Sequence, residues 1–272
     1  MGNDVDREWS TLRRALAWSV HFFTAWGLIL AAFMAMHILR VDEPDGGAHV
    51  RWVFILMMLA TLVDAFDGTF ARMVRIKEVL PNFDGRRLDD LIDFLNFTCL
   101  PLLLIWKLNL LPAGLEFWLL FALLASAYGF CQVEAKTEDG YFLGFPSYWN
   151  LVAFYLYVMQ PVPPVISLAL VILLAVLTFI PLRYLYPTQT GKLNLYSNLL
   201  SGVWVLVLIW LITLLPSSRL STGSSAWDLR HRVALGSLFF PIFYFIASGV
   251  VNWQHWKRGR DSQLASATYS KE

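Results

Sequence analysis

Residues 64–93 read DAFDGTFARMVRIKEVLPNFDGRRLDDLID, and this stretch decides the fold because its acids interrupt two long apolar runs. Asp64 and Asp67 stand three residues apart, and Asp89 and Asp93 stand four apart. At about 100° per residue, each pair shares one face of a helix. Gly68, Ala71 and Arg72 fall on the face of the first pair, and Gly85 sits four residues before Asp89. Two such faces brought together make a group of four carboxylates beside two glycines and an arginine.

The surroundings are those of a membrane protein. Of 272 residues, 57% are hydrophobic and 15% charged, against about 25% charged in soluble chains. The mean hydropathy is +0.56. Disorder is excluded by the 12 Trp, 20 Phe and 10 Tyr, since disordered chains are polar and poor in aromatics. The 21 basic and 20 acidic residues leave no basic footprint for nucleic acid. Cys99 and Cys131 lie in apolar stretches without zinc spacing and read as buried free thiols.

A bilayer core of about 30 Å needs roughly 20 apolar residues per helix. Eight runs qualify, at 16–39, 50–72, 89–106, 114–133, 148–160, 164–182, 196–215 and 233–253, the fifth being short and ending at Pro161. The expectation is an all-α integral membrane protein of about eight transmembrane helices. It is a single polytopic domain over 1–272, with a cytoplasmic segment at 1–15 and a cytoplasmic tail at 254–272. With both termini inside, fifteen Lys and Arg face the cytoplasm against six outside, the bias that sets orientation. The first run reads as a retained helix rather than a signal peptide. Residues 7–18 read equally as a surface helix or a solvated tail.

Energy gives the four in-register acids their weight. Each aspartate at a helix centre costs about 2.5–3.5 kcal/mol on insertion scales, so four cost on the order of 10 kcal/mol. Clustered like charges also repel unless a cation or protons neutralise them. Hard divalent cations take oxygen ligands, and Mg²⁺ is commonly held by carboxylates together with substrate phosphates. The pattern therefore points to a metal cage open to a phosphorylated ligand. Asp84 and Asp90 fall off the shared face and read as helix caps or partners of nearby arginines. Gly68 and Ala71 alone would signal only close helix packing. The five histidines, His21, His37, His49, His231 and His255, are scattered without ligand spacing and read as core or interface residues.

Asp64-x-x-Asp67-Gly68-x-x-Ala71-Arg72, followed by Gly85-x-x-x-Asp89-x-x-x-Asp93, resembles the signature of the CDP-alcohol phosphotransferases at all eight positions. Twelve residues, 73–84, separate the arginine from the second glycine. That interval is longer than in most of the family and resembles the bacterial branch that makes phosphatidylcholine, as do the eight runs. The resemblance implies the family's fold and the reaction of CDP-diacylglycerol with choline to give phosphatidylcholine and CMP. It implies that Asp64, Asp67 and Asp89 ligate one divalent ion and that Asp67, Asp89 and Asp93 contribute to a second. Asp93 would also take the proton of the attacking hydroxyl. Asp64, Gly68, Ala71, Arg72 and Gly85 would surround the CDP moiety. The ions would be Mn²⁺ or Mg²⁺, and the setting a homodimer in a bacterial inner membrane with its active site facing the cytoplasm.

The acceptor is read from residues 130–150, FCQVEAKTEDGYFLGFPSYWN. Tyr141, Tyr148 and Trp149, with Glu134, could cage a quaternary ammonium by cation–π attraction. The same aromatics fit an interfacial belt. The loop 181–198 holds only Arg183 and Lys192 as cations, which favours an unphosphorylated alcohol over a phosphorylated one. Two alternatives stand beside this reading: another acceptor (serine, inositol or glycerol 3-phosphate), or a divalent-cation transporter, since intramembrane carboxylates also mark ion pathways.

Overall fold

The computed structural model describes residues 9–132, 141–184, 192–216 and 229–269. They are mostly helical, apart from two strands of two residues each. Among the described residues, four helical stretches are long and apolar enough to cross a membrane: Thr11–Ile38, Gly46–Met73, Leu195–Thr213 and Leu229–Lys257. Three shorter apolar helices, Trp118–Cys131, Trp149–Val158 and Pro164–Phe179, fall on three more of the eight runs. Large apolar side chains such as Phe22, Phe33, Leu124 and Leu206 point outward, half or more exposed. Water would penalise such faces and lipid accommodates them. The chain is an all-α, multi-pass membrane protein. Its contacts group into two compact units.

The first unit comprises residues 1–108, 149–153 and 216–219. Helices α1 (Thr11–Ile38) and α2 (Gly46–Met73) form a hairpin. Helix α1 begins earlier than the apolar run because the Ser10 hydroxyl accepts from the Arg13 N–H at 3.4 Å, satisfying one orphan donor of the first turn. Residues 11–18 therefore continue the first helix without a break rather than forming a separate one. After the short α3 (Ile76–Val79) comes α4 (Gly85–Asp93), which packs on α1. A π-helical turn, Phe94–Cys99, links α4 to α5 (Leu100–Lys107). Pro101 lies just beyond it and has no N–H to offer the preceding turn. At the far end, the Lys107 ammonium meets the Asp42 carboxylate at 2.5 Å.

The second unit comprises residues 109–148, 154–215 and 220–272. In it α6 (Trp118–Cys131) packs on α8 (Pro164–Phe179). Strand β1 (Phe142–Leu143) pairs antiparallel with β2 (Arg183–Tyr184). The ladder turns at Gly144, where φ is +80° and a Cβ would overlap the Thr178 carbonyl, so only glycine fits. The Asn252 side chain of α11 (Phe239–Tyr269) clamps Arg183, accepting from its N–H and donating to its carbonyl, both at 2.8 Å. Helix α7 (Trp149–Val158) is followed by a buried Arg230 from α10 (Leu229–Ser237). Its guanidinium donates to the Val158 and Gln160 carbonyls, occupying acceptors that the helix end leaves open. Helix α9 (Lys192–Thr213) sends the Trp204 indole N–H to the Tyr155 hydroxyl at 2.9 Å.

Candidate active site

The motif residues lie on two helices of the first unit. Asp64, Asp67, Gly68, Ala71 and Arg72 occupy the last turns of α2, and Gly85, Asp89 and Asp93 span α4. Asp84 caps α4, its carboxylate accepting from the Arg87 N–H at 3.2 Å and pairing with the Arg87 guanidinium at 3.1 Å. Asp90 lies 3.9 Å from Arg86. Both thus act as cap or ion-pair partner, as their off-face positions lead one to expect.

Asp64, Asp89 and Asp93 each offer a carboxylate oxygen, and these oxygens all lie within 4.8 Å of one another. Asp67 is buried, and its carboxyl meets that of Asp89. All four acids line one cavity of about 10 Å³, together with Thr24, Gly27, Ala60, Val63, Ile92 and Asn96. That is room for about one water molecule or one ion. Four acceptors converging on so small a space suit a hard divalent cation, which takes oxygen ligands at close range. The donor set therefore fits a divalent ion, and the cavity has room for one of the two ions that the resemblance implies.

Helix α1 contributes a wall that the motif reading missed. The Thr24 hydroxyl donates to Asp67 Oδ2 at 3.0 Å. Asn96 donates its Nδ2 to the Gly27 carbonyl at 3.1 Å. A Cβ at Gly27 would overlap Ile92, so this glycine sets how closely α1 approaches the π turn and α4. A signal was present in the sequence. Val20, Thr24, Gly27 and Ala31 recur at three- and four-residue spacing, and all face inward.

The two signature glycines differ in surroundings. At Gly68 an added Cβ would meet only the Arg72 guanidinium, at 3.5 Å, leaving the backbone open. At Gly85 the same space is taken by the His21 ring, which packs 4.3 Å from the Phe83 ring centroid and 5.8 Å from that of Trp18. His21 is thus a core histidine that holds the start of α4. Gly85→Ala is expected to destabilise the fold by about 1–3 kcal/mol through overpacking. In a His21→Ala background the cost should fall by more than half. Thermal unfolding in detergent of the two single variants and the double variant checks this, and equal costs in both backgrounds would exclude the contact as the cause.

The remaining proposed residues are placed as follows. Arg72 is exposed and donates to the Thr69 hydroxyl at 3.1 Å, while Ala71 is half-buried. Tyr141 carries the Arg183 guanidinium over its ring at 5.7 Å. Tyr148 is exposed and packs edge-on to Tyr244 with ring centroids 6.4 Å apart. Trp149 is fully buried. Glu134 lies outside the described residues. Two histidines that look scattered in sequence meet in space: His37 Nδ1 and His49 Nδ1 are 2.8 Å apart at the turn of the α1–α2 hairpin. There His49 also lies 3.5 Å from Glu43 and 3.7 Å from Asp45.

No protein-family model matches the chain. Curated relatives do, and several carry the name phosphatidylcholine synthase. That of Pseudomonas aeruginosa is 35% identical over 251 residues, covering 92% of this chain and 96% of the relative. That of Legionella pneumophila is 39% identical over 182 residues, covering 65% of this chain and 68% of the relative. That of Bradyrhizobium diazoefficiens is 34% identical over 198 residues, covering 72% of this chain and 71% of the relative. Similarity to enzymes over nearly the whole length favours an enzyme over a cation transporter. With all eight signature positions present and the four acids gathered about one cavity, this chain belongs to the phosphatidylcholine synthase family of CDP-alcohol phosphotransferases.

Proposed function

We propose that the protein transfers the phosphatidyl group of CDP-diacylglycerol to choline, forming phosphatidylcholine and releasing CMP. The observation that carries this reading is the convergence of Asp64, Asp67, Asp89 and Asp93 on one small cavity, in a chain related to named phosphatidylcholine synthases. Asp64, Asp67 and Asp89 would hold one Mn²⁺ or Mg²⁺, and Asp67, Asp89 and Asp93 would contribute to a second. When bound, the ions neutralise the diphosphate and ease departure of CMP. Asp93 accepts the choline hydroxyl proton as the choline oxygen bonds to the phosphorus bearing diacylglycerol and the bond from that phosphorus to CMP breaks. Asp64, Gly68, Ala71, Arg72 and Gly85 surround the CDP moiety, with the open backbone at Gly68 giving the nucleotide its closest approach. The Arg72 guanidinium, exposed beside it, suits a phosphate partner. No intermediate forms on the protein, so the stereochemistry at phosphorus inverts.

Glu134, Tyr141, Tyr148 and Trp149 are proposed to form the choline-binding stretch. Arg183 stacked over Tyr141 supports this, because the ring already accepts a cation on its face. The proposal extends to eight spans in one polytopic domain, both termini cytoplasmic. The protein would work as a homodimer in a bacterial inner membrane, its site opening to the cytoplasm and lipid tails entering laterally.

The test is CMP release by detergent-purified protein given CDP-diacylglycerol and Mn²⁺, with choline, serine, inositol or glycerol 3-phosphate offered in turn. Choline alone is expected to support release. Release with another acceptor would overturn the choice of product while keeping the reaction class. If Tyr141→Ala and Trp149→Ala both leave the choline KM unchanged, the choline-binding assignment fails.

A further inference from the structure

Two polar side chains outside the signature, Thr24 and Asn96, line the cavity among the described residues. Asn96 is 1% exposed and stands on the π-helical turn that begins directly after Asp93. Its Nδ2 donates to the Gly27 carbonyl at 3.1 Å. That bond fixes the amide orientation, because only the nitrogen can face a carbonyl. The other end, Oδ1, is buried with no hydrogen-bond partner among the described residues. Asn96 lines the same small cavity as the four aspartates.

A buried acceptor left unsatisfied is destabilising, because it gives up its hydrogen bonds to water and gains none in return. Among the described residues the cavity offers it no donor when its acids are ionised. Ionised carboxylates only accept, and the Thr24 hydroxyl proton is directed at Asp67 Oδ2. A cation held among the carboxylates would satisfy Oδ1 as it satisfies them, since hard divalent ions accept amide carbonyls as ligands. A neutral amide also adds an oxygen without adding a fifth negative charge to a crowded site.

We propose that Asn96 Oδ1 is a fifth protein oxygen of the divalent-cation site, supplied from the π turn and aimed by its bond to Gly27. The inference rests on the metal reading of the four aspartates given above. Gly27 thereby has a second role, since its carbonyl holds the asparagine that faces the ion.

The experiment is a titration of purified full-length protein with Mn²⁺ alone, with free Mn²⁺ followed by electron paramagnetic resonance and no substrate present. Asn96→Leu and Asn96→Ala are each expected to weaken Mn²⁺ binding tenfold or more, the scale on which losing a supporting group lowers metal affinity. Asn96→Asp, which keeps an oxygen in place, should bind Mn²⁺ more tightly than Asn96→Ala. The thermal midpoint of each metal-free variant separates folding from binding. A lower midpoint with an unchanged Mn²⁺ affinity would make Asn96 a packing residue and overturn the proposal. Should Asn96→Leu not fold, the smaller Asn96→Ala decides. A wild-type protein that binds no Mn²⁺ would defeat the metal reading itself, whereas wild-type binding matched by the variants would defeat only the role of Asn96.

Discussion

Asp93→Asn is expected to lower choline-dependent CMP release by about a thousandfold or more, because it removes a general base worth about 10²–10⁴ and one metal oxygen together. The fall should appear in kcat with the choline KM little changed, since the lost interaction belongs to the transition state. Asp93 ends α4 immediately before the π turn, and its carboxylate lies within 4.8 Å of oxygens from Asp64 and Asp89. The amide keeps the shape but cannot take a proton. The neighbouring Asp90 supplies the control. It pairs with Arg86 at 3.9 Å near the surface, an interaction worth under about 1 kcal/mol, so Asp90→Asn should stay within about twofold of wild type. Metal-free Asp93→Asn is also expected to unfold at a higher temperature than metal-free wild type, because one of four crowded acids that must repel its neighbours or take up a proton is gone. Retention of more than a tenth of wild-type kcat would remove Asp93 as the base.

Chelation is expected to abolish CMP release, and Mn²⁺ or Mg²⁺ to restore it. Four carboxylates face a cavity of about 10 Å³ lined otherwise by Thr24, Asn96 and apolar or glycine positions. Among the described residues no Lys or Arg lines that cavity, which leaves neutralisation to a bound cation or to protons. A ligand at about a hundred times its Kd stabilises the state it binds by about 2.7 kcal/mol. Thermal unfolding should therefore shift upward by several degrees on adding Mn²⁺. The shift should shrink in Asp64→Asn and in Asp89→Asn. Full activity after exhaustive chelation, or a midpoint indifferent to Mn²⁺, would contradict the metal role of these acids.

Much of the architecture was legible because membrane insertion writes itself into composition. Four of the eight apolar runs emerge as helices long enough to span a bilayer, and three others as shorter apolar helices. Their ends were less legible, since local hydrogen bonds decide them. Ser10 starts α1 several residues ahead of the apolar run. The run 164–182 leaves the helix after Phe179, where Ile180 is extended and Pro181 follows. The interruption within 89–106 was also hidden, because a π turn leaves the apolar character of the segment unchanged.

The acids themselves could be found by spacing. Residues three or four apart share a helix face whatever the rest of the fold does, so Asp64 with Asp67 and Asp89 with Asp93 were paired before any packing was known. Their cost in lipid made a shared purpose the physical conclusion. The amino-acid sequence alone thus determined the membrane class, the two acidic helix faces and their correspondence to a family signature. Tertiary structure alone decided what closes the site. Thr24 lies 43 residues from Asp67, and Asn96 lies 69 from Gly27, separations over which no helical period operates. The His21 ring fills the space beside Gly85 for the same reason, and the His37–His49 pair forms only because α1 and α2 fold back as a hairpin. Spacing within a helix follows from backbone geometry, whereas the partner across a helix interface is set by which faces pack together.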